Sequence, residues 1–308
     1  MGNHSERKKK MKLNLIQEYE EKDNEVSIVI PVFNEKEGLQ KILPDLCEVA
    51  KKYNSKIVIV DDGSTQNCLE VLKNYPDITI LRHEKNKGYG ASIKTAVSHI
   101  KSPWVLMMDS DGQHNPLDIP EFLKFKGMYD MIVGKRIQQN QETLVNAFGR
   151  MVLSLVSSYA CGHFVKDFNS GMRLFRRDSF MKFFKLYPDG FSISTTMTVT
   201  FFIKGFKVHY IPIKILPRAS GTSKVSYLKD GVSTLLLIMK ILLNLSPVRL
   251  FFLPSIGFIV AGLICILYSK IISSITTVGT LFIIIGFLTL VGSALAQIKK
   301  SGMKDFEF

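Results

Sequence analysis

The sequence predicts an α/β domain on a mostly parallel, Rossmann-like sheet, followed by a C-terminal hairpin of two transmembrane helices. Three observations lead there. Short apolar runs rich in β-branched residues recur from Val26 onward, and stretches of helical periodicity separate them. The runs are continuous rather than alternating, as expected of strands covered on both faces. Beyond Arg249 come two long segments without charge: 20 residues between Arg249 and Lys270, and 28 between Lys270 and Lys299. A helix needs roughly 20 apolar residues to cross a bilayer core, so both qualify.

In chain order, residues 1–24 carry Arg7, Lys8, Lys9, Lys10 and Lys12 and read as a basic flexible arm. A catalytic-size domain follows over 25–223. Its strands are expected at Val26–Val32, Ile57–Val60, Ile78–Leu81, Val105–Met108 and Met131–Val133, with helices near 39–53, 66–74, 89–101 and 117–126. The apolar stripe from Thr143 to Tyr159 suits either core packing or membrane contact. Residues 224–247 form a juxtamembrane segment, with Leu228–Leu245 as an amphipathic helix expected to lie in the interface, a core helix being the alternative. The spans occupy 248–298, the second beginning near Val278, and 299–308 are a tail.

Between Lys214 and Arg249 stand six Lys or Arg against one acid, Asp230; Lys299, Lys300 and Lys304 follow the second span, and the hairpin loop offers only Lys270. The positive-inside rule places the N-terminal part and the C-terminus in the cytoplasm. Four scattered cysteines suit a reducing compartment. The net charge of +13 comes with no nucleic-acid motif, so anionic headgroups and phosphorylated substrates are the expected partners, not nucleic acid.

In parallel sheets ligands bind beyond the carboxyl ends of strands. Here the first strand runs into Pro31-Val32-Phe33-Asn34-Glu35, the second into Asp61-Asp62-Gly63-Ser64, and the fourth into Asp109-Ser110-Asp111-Gly112-Gln113-His114. Three polar clusters at three strand ends converge on one cleft. Strand residues two apart face one side, which aims Asp109 and Asp111 at a shared point. Such hard oxygen ligands suit Mg²⁺ or Mn²⁺ with substrate phosphates completing the shell; solvated acids in an Asp-Gly turn are the plain alternative. Asp61 and Asp62 sit where a carboxylate accepts from a nucleobase or ribose, and Ser64 or Thr65 is expected to cap the next helix. Asn86-Lys87-Gly88-Tyr89-Gly90-Ala91 opens a helix, where glycines let a backbone approach a ligand and the helix start favours anions. The segment is neither a dinucleotide fingerprint nor a P-loop. His83, His99, His163 and His209 read as structural or surface residues, and Gln113 and His114 could equally be turn residues.

Val-Ser-Ile-Val-Ile-Pro-Val-Phe-Asn-Glu, Val-Asp-Asp-Gly-Ser, Asn-Lys-Gly-Tyr-Gly and Met-Asp-Ser-Asp-Gly-Gln-His-Asn-Pro, in this order, resemble family 2 glycosyltransferases of the GT-A fold. The likeness is greatest to the polyprenyl-phosphate branch, the relatives of dolichyl-phosphate mannose synthase and undecaprenyl-phosphate glucosyltransferases, and covers Val26 to Lys224. The resemblance implies that Pro31, Glu35 and Asp61 line the nucleotide with Asp62, Lys87 and Gly88 nearby. It implies that Asp109 and Asp111, helped by Gln113, hold Mg²⁺ or Mn²⁺ against the donor diphosphate, with Asp111 catalytic. Arg136 matches a basic residue near the phosphates. Asp167-Phe168-Asn169-Ser170-Gly171-Met172-Arg173 matches an element beside the reacting centre, with Asp167 and Arg173 catalytic. Arg218 and Lys224 match the ends of a loop that takes the acceptor phosphate. Ordinary basic surface is the alternative for Arg136, Arg173, Arg218 and Lys224.

Many hydroxyl-glycosylating relatives carry an acid at the head of the helix after the Ser-Gly element. Here Phe191–Thr198 has none, and Asp189 reads as a turn residue that a displaced base would have to use. The Gln-x-x-Arg-Trp signature of processive synthases is absent. A phosphate acceptor, already anionic near neutral pH, needs no base. The expected function is therefore metal-dependent, inverting transfer of one sugar from a UDP- or GDP-sugar to undecaprenyl or dolichyl phosphate at the membrane, and the resemblance to hairpin-anchored relatives implies a homo-oligomer. The alternatives are transfer to a glycolipid or saccharide hydroxyl, and a non-catalytic membrane binding module.

Overall fold

A computed structural model describes residues 13–17, 25–65, 68–137, 158–159, 161–163, 165, 167, 170–217, 236–243, 245–268 and 275–304. Residues 143–157 of the apolar stripe, the start of the expected juxtamembrane helix, and Arg218 and Lys224 lie outside them. The chain divides into two compact units, 1–143 with 166–225, and 144–165 with 226–308.

The first unit is built on one eight-stranded sheet in the order β1-β4-β3-β2-β5-β7-β6-β8. Its strands are β1 (Leu13–Gln17), β2 (Val26–Val32), β3 (Lys56–Asp61), β4 (Ile78–His83), β5 (Trp104–Met107), β6 (Met131–Ile137), β7 (Arg173–Arg176) and β8 (Val208–Lys214). The pairs β2/β3, β3/β4, β2/β5 and β6/β8 are parallel; β1/β4, β5/β7 and β6/β7 are antiparallel. The helices are α1 (Lys36–Lys52), α2 (Cys68–Leu72), α3 (Tyr89–His99), α4 (Ile119–Lys124), α5 (Arg177–Met181) and α6 (Ile193–Ile203).

The apolar strands alternate between two cores. Ile28, Ile30, Val32, Ile57 and Ile59 face a cluster with Leu39, Ile42, Leu43 and Leu46 of α1. Val29, Val58 and Val60 face a second with Ile93, Ala96 and Val97 of α3 and Met197 and Phe201 of α6. Because neighbouring side chains point to opposite faces and both are covered, the strands lack polar alternation. At about 2 kcal/mol for each fully buried Leu or Ile, α1 alone supplies several side chains' worth of driving force.

Two parts of this sheet differ from expectation. β1 lies inside the segment expected to be a flexible arm, and pairs with β4 from Leu13↔His83 to Gln17↔Ile80. β7 and β8 extend the sheet beyond the five expected strands. β7 has only four residues, begins and ends with arginine, and is antiparallel, so it lacks the apolar run that marks a buried parallel strand.

The second unit contains α7 (Pro247–Tyr268) and α8 (Ile275–Lys304), and residues 236–243 are also helical. Within α7 and α8, Leu250–Leu267 and Thr276–Ala296 are long and apolar enough to cross a membrane. Phe252, Leu253, Leu267, Phe287, Leu288 and Leu295 are exposed along their outer faces, where water would be an unfavourable solvent. The two helices meet through small residues. A Cβ on Gly262 would lie 2.5 Å from the Gly279 carbonyl, and one on Gly286 would lie 2.7 Å from that of Ser255. Ser255 Oγ and Thr289 Oγ1 are 2.8 Å apart across the contact, a hydroxyl pair of the kind that stabilises helices in lipid. α8 starts at Ile275, before Val278; the Thr280 hydroxyl bonds the Thr276 carbonyl at 2.9 Å, so that hydroxyl has a partner within the helix.

Candidate active site

The site lies at the carboxyl ends of β2, β3 and β5. β5 pairs with β2 only as far as Val29↔Met107, so buried Pro31, which has no N–H to donate, stands past the end of that ladder. The chain then leaves β2 through Asn34, whose φ of 57° is one that Asn tolerates. Asn34 knits two loops together. Its Oδ1 accepts from Thr65 N at 2.9 Å, and its own N–H donates to Ser64 Oγ at 3.0 Å. Ser64 therefore ties β2's loop to β3's; the residues that would join it to α2 lie outside the described ones, so the expected cap is not tested.

Asp61 is buried. Its Oδ1 accepts from Ser64 N at 2.9 Å, and Arg82 Nε on β4 lies 3.3 Å from Oδ2. Asp62 is buried too, and its carboxylate is turned inward. Oδ1 accepts from Lys87 N at 2.9 Å and lies 2.6 Å from His83 Nδ1, while Oδ2 accepts from Gly88 N at 2.8 Å. His83 Nε2 is 2.9 Å from Thr95 Oγ1. The structure thus joins Asp62, Lys87 and Gly88, but as one internal strut. Asp62 shapes the loop from behind rather than reaching for a ribose.

The start of α3 is also occupied. Ala91 N donates to the Asp189 carbonyl at 3.0 Å. A Cβ on Gly88, whose φ is 106°, would lie 2.4 Å from the Asp189 carbonyl, and one on Gly90 would lie 2.2 Å from that of Pro188. These glycines admit the 187–190 loop, not a ligand phosphate, so the expected anion site at this helix start is filled by the chain. Asp189 itself pairs with Lys94, Oδ1 to Nζ 2.6 Å.

The acidic turn follows β5. Since β5 ends at Met107, Asp109 and Asp111 lie beyond the pleat and the turn, not strand alternation, sets their relation. Asp109 N donates to His114 Nδ1 at 3.3 Å, Asp111 Oδ1 accepts from Gln113 N at 3.0 Å, and Gly112 takes a φ of 77°. Beneath the turn, a Cβ on Gly38 of α1 would lie 2.0 Å from the Ser110 carbonyl. The turn is also stitched to the segment after β8. Leu216 N donates to Gln113 O at 2.9 Å, and Lys41 Nζ donates to Gly112 O at 2.9 Å and Pro217 O at 3.0 Å.

Asp109 is partly exposed and Asp111 is nearly buried. Tyr89 donates its hydroxyl to Asp109 Oδ1 at 2.7 Å. Burial, then the Asp109 charge, push the Tyr89 phenol well above its ordinary value of 10.0, so it remains a donor. Among the described residues no three His, Cys, Asp or Glu side chains group to hold a metal. Two carboxylates are a donor set Mg²⁺ or Mn²⁺ uses when diphosphate and water complete the shell.

Arg136 and Asp167 meet as a fork: Nε to Oδ2 2.9 Å and Nη2 to Oδ1 3.0 Å. Arg173, expected to be catalytic beside the reacting centre, is 0 % exposed. Its guanidinium donates to the Ser170 carbonyl, to the Ser194 carbonyl at 2.8 Å and to Thr198 Oγ1 at 3.1 Å. Burial holds its pKa below the ordinary arginine value, while the Tyr89, Asp167, Tyr210 and Asp109 groups work to raise it. The residue braces β7 against the head of α6 rather than facing a cleft.

Residues 27–184, just over half of the chain, match the family described as glycosyl transferase family 2. The chain belongs to that family. This glycosyltransferase is 26% identical over 183 residues to the UDP-N-acetylglucosamine–dolichyl-phosphate N-acetylglucosaminyltransferase of Methanococcus voltae, covering 51% of this chain and 71% of the relative. To the undecaprenyl-phosphate 4-deoxy-4-formamido-L-arabinose transferase of Salmonella choleraesuis it is 26% identical, over 77% of this chain and 72% of that one. Its fold matches the glucosyl-3-phosphoglycerate synthase of Mycobacterium tuberculosis, solved with Mn²⁺, UDP-glucose and phosphoglyceric acid. The TM-score is 0.55 at 13% identity, over 71% of this chain and 79% of that one. The domain is GT-A, as the sequence motifs implied.

Sequence reasoning missed Tyr89, Gly171 and Lys41 in the glycosyltransferase, whereas His83, read as structural or surface, is buried and structural. The first stood inside a quoted motif in which only the glycines were read. Gly171 has a sharper signature in space: a Cβ there would lie 2.0 Å from Asp109 Oδ2 and 2.4 Å from its Cγ. Gly171→Ala is therefore expected to displace the Asp109 carboxylate and lower transfer about 100-fold, the scale of a misplacement near 1 Å. Steady-state rates beside an unchanged circular dichroism spectrum would check this; activity within about threefold of wild type would show that Asp109 tolerates the push.

Proposed function

We propose that this glycosyltransferase moves one sugar, with inversion, from a UDP- or GDP-sugar to a polyprenyl phosphate at the cytoplasmic leaflet. One observation carries the reading: the acidic turn is tied through Gln113 and Lys41 to Leu216 and Pro217, and the next residue is Arg218. In sequence, the basic residues Arg218 and Lys224 follow this tie, and α7 and α8 come later in the chain. Relatives that act on dolichyl and undecaprenyl phosphate support the acceptor class. The positive flanks of the two apolar helices support the cytoplasmic orientation.

Asp109 and Asp111 would hold Mg²⁺ or Mn²⁺, with Gln113 fixing the turn between them and Leu216. A bound divalent cation there supplies charge neutralisation to the departing diphosphate. Asp61 and the Asn34–Thr65 knot shape the nucleotide side, and Arg136, oriented by Asp167, offers guanidinium to phosphate oxygens. The acceptor phosphate is an anionic nucleophile, which accords with the acid-free head of α6 and with Asp189 being paired to Lys94. Arg218 and Lys224 would position it.

The test incubates purified full-length protein and Mn²⁺ with radiolabelled UDP- and GDP-sugars, with and without undecaprenyl or dolichyl phosphate. Label is expected to enter organic solvent only with lipid phosphate and Mn²⁺, to be lost with EDTA, and to be released by mild acid. Transfer to a glycolipid hydroxyl instead, with none to lipid phosphate, would overturn the acceptor assignment.

A further inference from the structure

Asp109 is held from two sides by residues to which no role has been assigned. On one side the Tyr89 hydroxyl donates to Oδ1 at 2.7 Å. On the other, the bare Cα of Gly171 lies so close that even a methyl group would meet Oδ2 at 2.0 Å. Tyr89 is itself fixed. It opens α3, whose start is locked by Asp62 through Lys87 N and Gly88 N and by the Asp189 carbonyl through Ala91 N. Its ring stacks on Phe191, centroids 5.3 Å apart and planes 21° apart, and Phe191 is otherwise 82% exposed. A large aromatic left this open at the head of α6 gains little from core burial; its ring contact is with Tyr89.

We propose that Tyr89 is a positioning residue for the metal-binding carboxylate: its hydroxyl engages Oδ1 so that Oδ2 is presented to the divalent cation, and Phe191 holds the tyrosine ring in place. The inference rests on the reading of Asp109 and Asp111 as metal-binding. A carboxylate's terminal torsion is soft and broadly two-fold, so without a partner its two oxygens interchange freely. One strong donor on one oxygen removes that freedom and leaves the other facing the ligand. Hydrogen-bond partners behind a metal ligand are commonly worth about 10–100-fold in metal affinity or activity. The His114 ring does not supply this constraint, since its Nδ1 accepts from the Asp109 amide and stands 3.7 Å from Oδ2.

The test measures Mn²⁺ binding directly, by the loss of free-Mn²⁺ electron paramagnetic resonance signal on titration into full-length protein with UDP or GDP. Tyr89→Phe keeps the ring and its stack and removes only the hydroxyl. It is expected to raise the Mn²⁺ Kd roughly 10–100-fold in the presence of whichever diphosphate the wild type uses. Metal-free nucleotide binding and the thermal midpoint should stay at wild-type values. Phe191→Leu, which keeps the hydroxyl but frees the ring, should shift the Kd in the same direction by a smaller factor. Wild-type Mn²⁺ affinity in Tyr89→Phe would overturn the proposal. So would an equal loss of metal-free nucleotide binding and thermal stability, which marks a purely structural tyrosine. A wild type that binds no Mn²⁺ with either diphosphate would instead overturn the metal reading itself.

Discussion

Asp111→Asn should lower transfer to lipid phosphate about 1000-fold while leaving the domain folded. The substitution is well matched to the question because asparagine preserves the turn. Asp111 Oδ1 accepts from Gln113 N at 3.0 Å, and an asparagine oxygen makes the same bond. What disappears is the charge. With only two carboxylates at this turn, and no group of three metal-capable side chains among the described residues, the loss halves the protein's negative charge toward a cation. Removing one preorganised electrostatic group commonly costs about 10²–10³ in rate, and a charge facing a divalent ion belongs at the upper end. Initial rates of label transfer across a Mn²⁺ series would measure it. Activity within about tenfold of wild type at every Mn²⁺ concentration would remove Asp111 from the site.

Arg173→Met should act on stability first. Arg173 is wholly enclosed, and its guanidinium serves the Ser170 and Ser194 carbonyls and the Thr198 hydroxyl. Methionine fills similar space with no donor, so the Ser170 carbonyl and the Thr198 hydroxyl oxygen lose the guanidinium where water does not reach, while the Ser194 carbonyl keeps the Thr198 hydroxyl at 3.0 Å. Leaving buried acceptors unsatisfied costs about 1–3 kcal/mol each, and about 3 kcal/mol is expected here. For a domain of this size that corresponds to a fall of roughly 10 °C in the thermal midpoint. Arg173→Lys should recover only part of it, since one ammonium cannot span acceptors on β7's approach and on α6 with the planar fork's geometry. Thermal unfolding of the detergent-solubilised full chain, followed by circular dichroism, would check both. A midpoint within about 2 °C of wild type in Arg173→Met would mean those acceptors find other partners.

The two variants separate what was legible from what was not. Asp111 was singled out by a local pattern, an acidic pair at the end of a buried apolar strand, and the structure places it in the turn after β5. Arg173 was singled out by its motif, but its burial could not be read there. A motif says which residues recur together, whereas burial depends on α6, a separate segment of the chain that packs behind the guanidinium. Asp62, Gly88 and Gly90 show the same division. Their spacing suggested a ligand cradle, yet the occupants are backbone amides and the 187–190 loop, and distant segments meeting there leave no mark on local sequence.

From the residues alone came the α/β layering, the polar turns at the strand ends, the two apolar helices and the family, since these follow from periodicity, apolar run length and short motifs. Tertiary structure alone decided the antiparallel β1 and β7, the inward turn of Asp62, the burial of Arg173, and the placing of Tyr89 and Gly171 against Asp109. The physical reason is range. Periodicity and turn chemistry act over a few residues and are written in the chain, whereas the direction a carboxylate faces is set by whichever donor the folded sheet brings within about 3 Å.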